Sequence, residues 1–281
     1  MTITTTPLTP AIGAEITGID LASEMDGGLD DGVFARIHQA VLDHLVLYFP
    51  AQDMAPEVQV AFTERFGAVE HHPLKARAGH PDYAGLLVLE NSPDRRGARN
   101  DFWHSDISCA PRPPSVCVLH ALIVPDGRGD TSFCNMYRAW ETLPDDLRAL
   151  LDAISAEHLG EAIRRRNNAS DTDGSKDIDV PAPETHPAVC RHPKTGHRVL
   201  YTNCFFTTRL GDMSEHDSAP LLADLEQRAT APDNVYRHRW RPGDVLIWDN
   251  RCTMHFADYD YDENEPRRMH RTTAAGERPM A

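Results

Sequence analysis

A series of short β-prone runs, most of them closed by turn signals, limits what this chain can fold into more than any other feature. "LVLYF" (45–49) and "SVCVLHALIV" (115–124) are nearly unbroken apolar stretches. Runs of that length read as buried strands. Further along come "AVCRHPKTGHRVLYTN", "VYRHRWRPGDVLIWDN" and "RRMHRTTAAG", the first two each broken at a Pro/Gly turn. "AIGAEITGIDL" near the start reads as a strand with turns. Helical spacing is confined to a few segments. Residues 31–44, "DGVFARIHQAVLDH", set Val33, Ile37 and Val41 on one face, continued by Leu45. "APEVQVAFTERFG" (55–67) is a helix ended by Gly67, and 142–154 and 219–229 carry two more. The pattern predicts a mainly β chain with flanking helices and a jelly-roll-like core.

At 281 residues, with no internal repeat, the chain suits a single domain spanning 1–281. Only 160–185 departs from the rest. It is rich in Asp, Asn, Gly, Ser and Pro without apolar periodicity, and is expected to form a long surface loop serving as an active-site lid. The net charge of -15 excludes nucleic acid and anionic membranes as bulk partners, although a few local arginines can still bind a small acid. Six cysteines without a CxxC pair point to reduced, partly buried thiols. "MTITTTPLTP" has neither a basic nor an apolar signal region. A cytoplasmic homo-oligomer is the expected state.

"NDFWHSDIS" (100–108) carries the first chemistry. It can be a hydrolytic Ser/His/Asp group, a pair of metal ligands, or polar residues on a strand. If the stretch is extended, His104 and Asp106 project together and Ser105 points away. A nucleophilic serine would then miss its histidine.

A second segment, "RPGDVLIWDNRCTMHFADYDY" (241–261), passes through an apolar strand to His255. With His104 and Asp106 it would complete two imidazoles and one carboxylate, the facial set of non-haem Fe(II) oxygenases. Zinc accepts the same ligands, so ligand type alone does not choose the metal. A third segment, "PRRMHRTT" (266–273), places Arg267 and Arg271 four apart on one face of an extended chain. Two buried guanidiniums call for anions, and the planar fork suits a carboxylate. In "GRGDTSF" (127–133), Thr131 can add a hydroxyl.

These pieces together resemble the taurine dioxygenase and dichlorophenoxyacetate dioxygenase family of Fe(II)/2-oxoglutarate-dependent oxygenases. The likeness runs from "IGAEITGIDL" to "RTTAAGERP". It is most specific in "WHSD", "GRGDT", "LYTNCFFTTRL" and "WDNRCTMH…DY…PRRMHRTT". It implies a double-stranded β-helix core, and Fe(II) on His104, Asp106 and His255. It implies 2-oxoglutarate with its far carboxylate on Thr131 and Arg267, and O2 as oxidant. Arg271 matches an arginine that meets the substrate anion. His72, in "FGAVEHHP", matches a histidine beside that anion, and Asn100 and Phe206 match residues near the substrate pocket. The implied reaction converts 2-oxoglutarate to succinate and CO2 and hydroxylates a small organic acid, a carboxylate, sulfonate or sulfate ester. Where the hydroxylated carbon bears a heteroatom, the C–O, C–N or C–S bond then breaks. Cys204, Phe205, Phe206, Cys252 and Met254 can supply an apolar wall.

Two rivals use the same ligands. A zinc-dependent hydrolase leaves Arg267 and Arg271 without a task, and no general-base glutamate accompanies the HxD. A non-enzymatic metal-binding β-barrel has no need of a 2-oxoglutarate arginine. Halogenases of this fold commonly lack the carboxylate that Asp106 provides here.

Overall fold

The computed structural model describes residues 3–26, 29–70, 79–92, 100–161, 182–262 and 264–281. His72 lies outside them, as does 162–181 of the expected 160–185 loop. The strands are β1 (Thr4–Pro7), β2 (Ala14–Thr17), β3 (Val46–Phe49), β4 (Leu87–Asn91), β5 (Val116–Ile123), β6 (Thr131–Asn135), β7 (Ser155–His158) and β8 (Glu184–Pro187). Then come β9 (Val189–Arg191), β10 (Arg198–Leu200), β11 (Thr207–Leu210), β12 (Val235–His238), β13 (Val245–Asp249), β14 (Thr253–Ala257) and β15 (Arg267–Ala274). The helices are α1 (Leu21–Asp26), α2 (Asp31–His44), α3 (Pro56–Glu64), α4 (Met136–Glu141), α5 (Asp145–Asp152) and α6 (Glu215–Ala229).

A seven-stranded sheet runs in the order β1-β2-β3-β13-β5-β15-β4. A three-stranded sheet, β12-β6-β14, carries the other half of the site. The apolar runs are continuous because the large sheet is covered on both faces. In β13, Leu246 and Trp248 join the core shared with Phe133 of β6 and Met254 of β14. Val245 and Ile247, on the opposite face, pack with Ile37 and Val41 of α2 and Phe62 of α3. β5 divides the same way, Cys117 and Leu119 on one side and Val116 and Val118 on the other. A fully buried strand of this kind shows no alternation in sequence, only length and β-branching.

The helices begin where their caps dictate. Asp30 accepts from the backbone N–H groups of Gly32 and Val33, which starts α2 at Asp31. Ser214 accepts from Asp217 N, so α6 begins at Glu215, ahead of the 219–229 periodicity. Pro56 sits in the first turn of α3, where its missing N–H costs nothing. The two halves of "VYRHRWRPGDVLIWDN" part company at the turn: β12 pairs with β6, whereas β13 pairs with β3 and β5. Among the described residues, no helix is long and apolar enough to cross a membrane. Five of the six cysteines are buried and all are free.

Candidate metal and cosubstrate centre

His104 and His255 meet across an isolated antiparallel bridge. Each backbone N–H donates to the other's carbonyl, at 3.1 Å from His104 N and 2.8 Å from His255 N. The expected extended "WHSDI" is not what forms. The bridge ends at His104 and a turn begins at Asp106, with Ile107 at φ 47°, yet Asp106 still lies beside His104. Asp106 Oδ1 lies 3.7 Å from His104 Nε2 and 3.8 Å from His255 Nε2. All three side chains are buried.

Both rings turn Nε2 toward Asp106, and for His104 a hydrogen bond at Nδ1 also sets the tautomer. His104 Nδ1 donates to the Phe102 carbonyl at 2.9 Å, since a carbonyl can only accept. That leaves Nε2 as the lone-pair atom. The His255 ring is held by Phe133 and Trp248, with centroids 6.0 and 5.1 Å away. Burial, helped by His104, pushes His255 down to about 3, so it is neutral near pH 7. Burial alone would raise the Asp106 carboxyl, but the Arg271 guanidinium and the two histidines hold it well below the usual carboxylate range. Two imidazole nitrogens and one carboxylate oxygen converge, which is a donor set for a divalent cation.

Ser105 does not serve a hydrolase. Its hydroxyl donates to the Thr253 carbonyl at 2.7 Å, in a buried site, and so ties the HxD turn to β14.

Arg267 and Arg271 share a face of β15. The register shift in its pairing with β5 leaves Leu122 of β5 as the extra residue, so the alternation of β15 is kept. Their surroundings differ. Arg271 Nη2 lies 2.5 Å from Asp106 Oδ2, and its guanidinium sits over the Trp248 ring. The anion that meets Arg271 in this structure is therefore Asp106, itself a metal-ligand candidate. Its Nε is buried without a hydrogen-bond partner.

Arg267 has no ion-pair partner among the described residues, and its Nε is buried and unpartnered. Burial works against its charge and lowers its pKa. A guanidinium in that state fits an anionic partner. Thr131 begins β6, two residues from Phe133, which faces His255 in the register. Two residues of strand span about 7 Å, the scale of a small dicarboxylic acid. Thr131 Oγ1 accepts from Trp240 Nε1 at 2.9 Å, so its own proton is free to donate. The donors present thus fit a dicarboxylate that reaches from the triad to Arg267.

Gly129 lies against this guanidinium. It has φ +72°, and a Cβ there would come 3.2 Å from the Tyr261 ring and 3.4 Å from Arg267 Nε. Gly129→Ala should weaken cosubstrate binding by about five- to thirty-fold, from roughly 1–2 kcal/mol of left-handed strain transmitted to Arg267. Titration with 2-oxoglutarate measures this, and unchanged affinity would show that the cradle yields without effect.

Asn100 sits where the chain enters the site, its carbonyl accepting from Ala257 N of β14 at 3.0 Å. Phe206 is fully buried in a small cluster with Ile107 and Cys109. Of the adjacent pair it is Phe205 that reaches His104, at 6.1 Å, stacked at 3.7 Å on Phe102, whose own ring lies 4.7 Å from His104. Residues that sequence reasoning left without a role are Phe102, Gly129 and Asn250. All three stand inside or beside the quoted motifs, and that adjacency was the only signal for them.

Among the described residues a second group has metal-like spacing: His192, Asp249 and Cys252. It is already satisfied. Arg251 grips both Asp249 oxygens at 2.9 and 2.6 Å, and His192 Nε2 lies 3.0 Å from Oδ2. This is an ion-pair network bracing the end of β13.

Residues 4–273 match the family described as taurine catabolism dioxygenase TauD, TfdA. An alkylsulfatase of Acinetobacter baylyi is 36% identical over 277 residues, covering 96% of this chain and 84% of that protein. An alpha-ketoglutarate-dependent 2,4-dichlorophenoxyacetate dioxygenase of Cupriavidus pinatubonensis is 32% identical, covering 97% of this chain and 98% of that protein. The crystal structure of AAD-2 in complex with Mn(II) and N-oxalylglycine superposes with a TM-score of 0.82 at 30% identity, covering 100% of both chains.

Proposed function

This chain belongs to the taurine catabolism dioxygenase TauD, TfdA family, and we propose that His104, Asp106 and His255 hold its Fe(II) while Thr131 and Arg267 take the far carboxylate of 2-oxoglutarate. The protein is a 2-oxoglutarate-dependent dioxygenase that uses Fe(II) and O2 and hydroxylates small organic acids. One observation carries the residue assignment. The His/Asp/His set converges against Arg271, and Arg267, whose Nε is buried and unpartnered, shares that arginine's face of β15. The pairing of the two sheets supports a double-stranded β-helix, or jelly-roll, core.

Bound together, Fe(II) and 2-oxoglutarate supply the oxidising chemistry: O2 is consumed, 2-oxoglutarate leaves as succinate and CO2, and one oxygen atom enters a substrate C–H bond. The protein's residues supply position and charge. Phe102 O fixes the His104 tautomer. Arg271 takes Asp106 Oδ2, which leaves Oδ1 facing the two imidazoles. Phe102 and Phe205 form an aromatic wall beside His104 that keeps water from that side of the site.

The substrate class follows from the same groups. A small carboxylate, sulfonate or sulfate ester would share Arg271 through its unpartnered Nε. Its apolar body would lie on the Phe102/Phe205 wall, with Asn100 and Phe206 contributing nearby and His72 as a second donor to the anion. Relatives named for alkyl sulfates, sulfate esters and 2,4-dichlorophenoxyacetate support an apolar acid. For an alkyl sulfate, hydroxylation at the carbon bearing oxygen gives an unstable adduct that separates into an aldehyde and sulfate. Anaerobically iron-loaded enzyme, exposed to O2 with each candidate, should release succinate fastest with alkyl sulfates and phenoxyalkanoates and more slowly with taurine, whose amine has no partner on an aromatic wall. Best turnover with a neutral substrate would sink the anion reading. No acid-stimulated succinate release at all would sink the site assignment.

A further inference from the structure

We propose that Asn250 is a positioning residue that holds the carboxylate ligand in register with the two histidines. The inference rests on the ligand assignment above and extends it to a residue outside the triad. Asn250 is fully buried in the turn between β13 and β14. Its side-chain Oδ1 accepts from Asp106 N at 2.7 Å. Its Nδ2 donates to Asp106 O at 3.0 Å and to Pro114 O at 3.0 Å. One N–H and two carbonyls surround the amide, so only this orientation satisfies it. The amide therefore grips the Asp106 residue at both backbone polar groups, as a neighbouring strand would. Its own backbone N–H donates to Ser115 O at 2.9 Å, which seats the clamp on the large sheet.

The three ligands depend on different ties. His104 and His255 are joined to each other by their two backbone hydrogen bonds. Ser105 Oγ is tied to Thr253 O. Asp106 has left the bridge and entered a turn, and among the described residues only Asn250 hydrogen-bonds its peptide groups. Arg271 and the Cys117 thiol then orient its carboxylate, with Cys117 Sγ 3.4 Å from Oδ2. Loss of the amide would leave the histidine pair in place and free the Asp106 backbone, so its effect should fall on the carboxylate ligand.

The test uses Co(II) as a spectroscopic probe on metal-free full-length protein, read by titration and by visible absorption. Four proteins are compared: wild type, Asp106→Ala, Asn250→Ala and Asn250→Asp. Asn250→Asp keeps size but replaces the donor facing two carbonyls by an acceptor. Both Asn250 variants should bind Co(II) about 10- to 100-fold more weakly, the range for outer partners of metal ligands. Their spectra should shift toward that of Asp106→Ala, and the melting transition of the metal-free protein confirms that each is folded. If Asn250→Ala does not fold, Asn250→Asp carries the comparison alone. Wild-type affinity in the Asn250 variants would overturn the inference, and so would weaker binding with a wild-type spectrum, which marks general loosening. Wild-type binding by Asp106→Ala would instead overturn the ligand assignment.

Discussion

His255→Ala loses Fe(II) binding by about a hundredfold or more and has no measurable Fe(II)- and 2-oxoglutarate-dependent turnover. Removing an outer partner of a metal ligand commonly weakens binding 10- to 100-fold, and removing the ligand itself should reach at least the upper end of that range. The structure gives the substitution a second consequence. The imidazole is packed between Phe133 and Trp248, so alanine leaves a cavity and costs about 2–4 kcal/mol of stability. The titration must therefore be run well below the melting transition, and His255→Gln, which fills more of the space, serves as a partner variant. Both should fail to hold Fe(II) at wild-type strength. His192→Ala is the control, because His192 belongs to the other metal-like group, whose carboxylate is already gripped by Arg251. It should leave one Fe(II) per chain with unchanged affinity. Fe(II) binding that survives in His255→Ala but not in His192→Ala would move the metal to the second group.

What the sequence disclosed and what it concealed divide along physical lines. The runs at 115–124 and 45–49 are legible as strands because β5 and β3 are largely buried on both faces and so are apolar at nearly every position. α2 is legible because Val33, Ile37 and Val41 keep one helical period along it. The sheet to which a strand belongs was not legible: β12 and β13 are separated by one Pro/Gly turn yet lie in different sheets. At the site, residue types and order single out His104, Asp106 and His255, which the structure brings together, and an extended HxD is the expected way to align them. The structure instead has a turn starting at Asp106, with the Asn250 amide hydrogen-bonded to both peptide groups of that residue. A side-chain amide copying a backbone partner 144 residues away leaves no periodic trace. Arg267 and Arg271 look equivalent in "PRRMHRTT". Only tertiary structure shows that one already has a carboxylate and the other does not. In the same way, "FF" did not reveal that Phe205 faces His104 while Phe206 packs with Ile107 and Cys109.

That asymmetry between the arginines reverses the stability effect usual for removing a buried arginine. Arg267→Ala should reduce 2-oxoglutarate affinity by about thirty-fold to several-thousand-fold, the equivalent of roughly 2–5 kcal/mol for one partner of a buried, charge-assisted pair. A buried arginine with a carboxylate partner would also cost folding stability when removed, since the partner's charge would be stranded. Arg267 has no such partner among the described residues, and burial already works against its charge. The cosubstrate-free Arg267→Ala protein should therefore melt no lower than wild type, and higher if relief of the unpaired guanidinium outweighs the lost packing of its stem. The difference appears on adding cosubstrate. A ligand at a hundred times its Kd stabilises the native state by about 2.7 kcal/mol. At a 2-oxoglutarate concentration that gives wild type this shift, the variant should show a much smaller rise in Tm. Calorimetric titration and paired melting curves, each with and without 2-oxoglutarate, measure both halves. An Arg267→Ala protein that melts well below wild type and still binds 2-oxoglutarate normally would show that this arginine holds the fold together and that the cosubstrate carboxylate is anchored elsewhere.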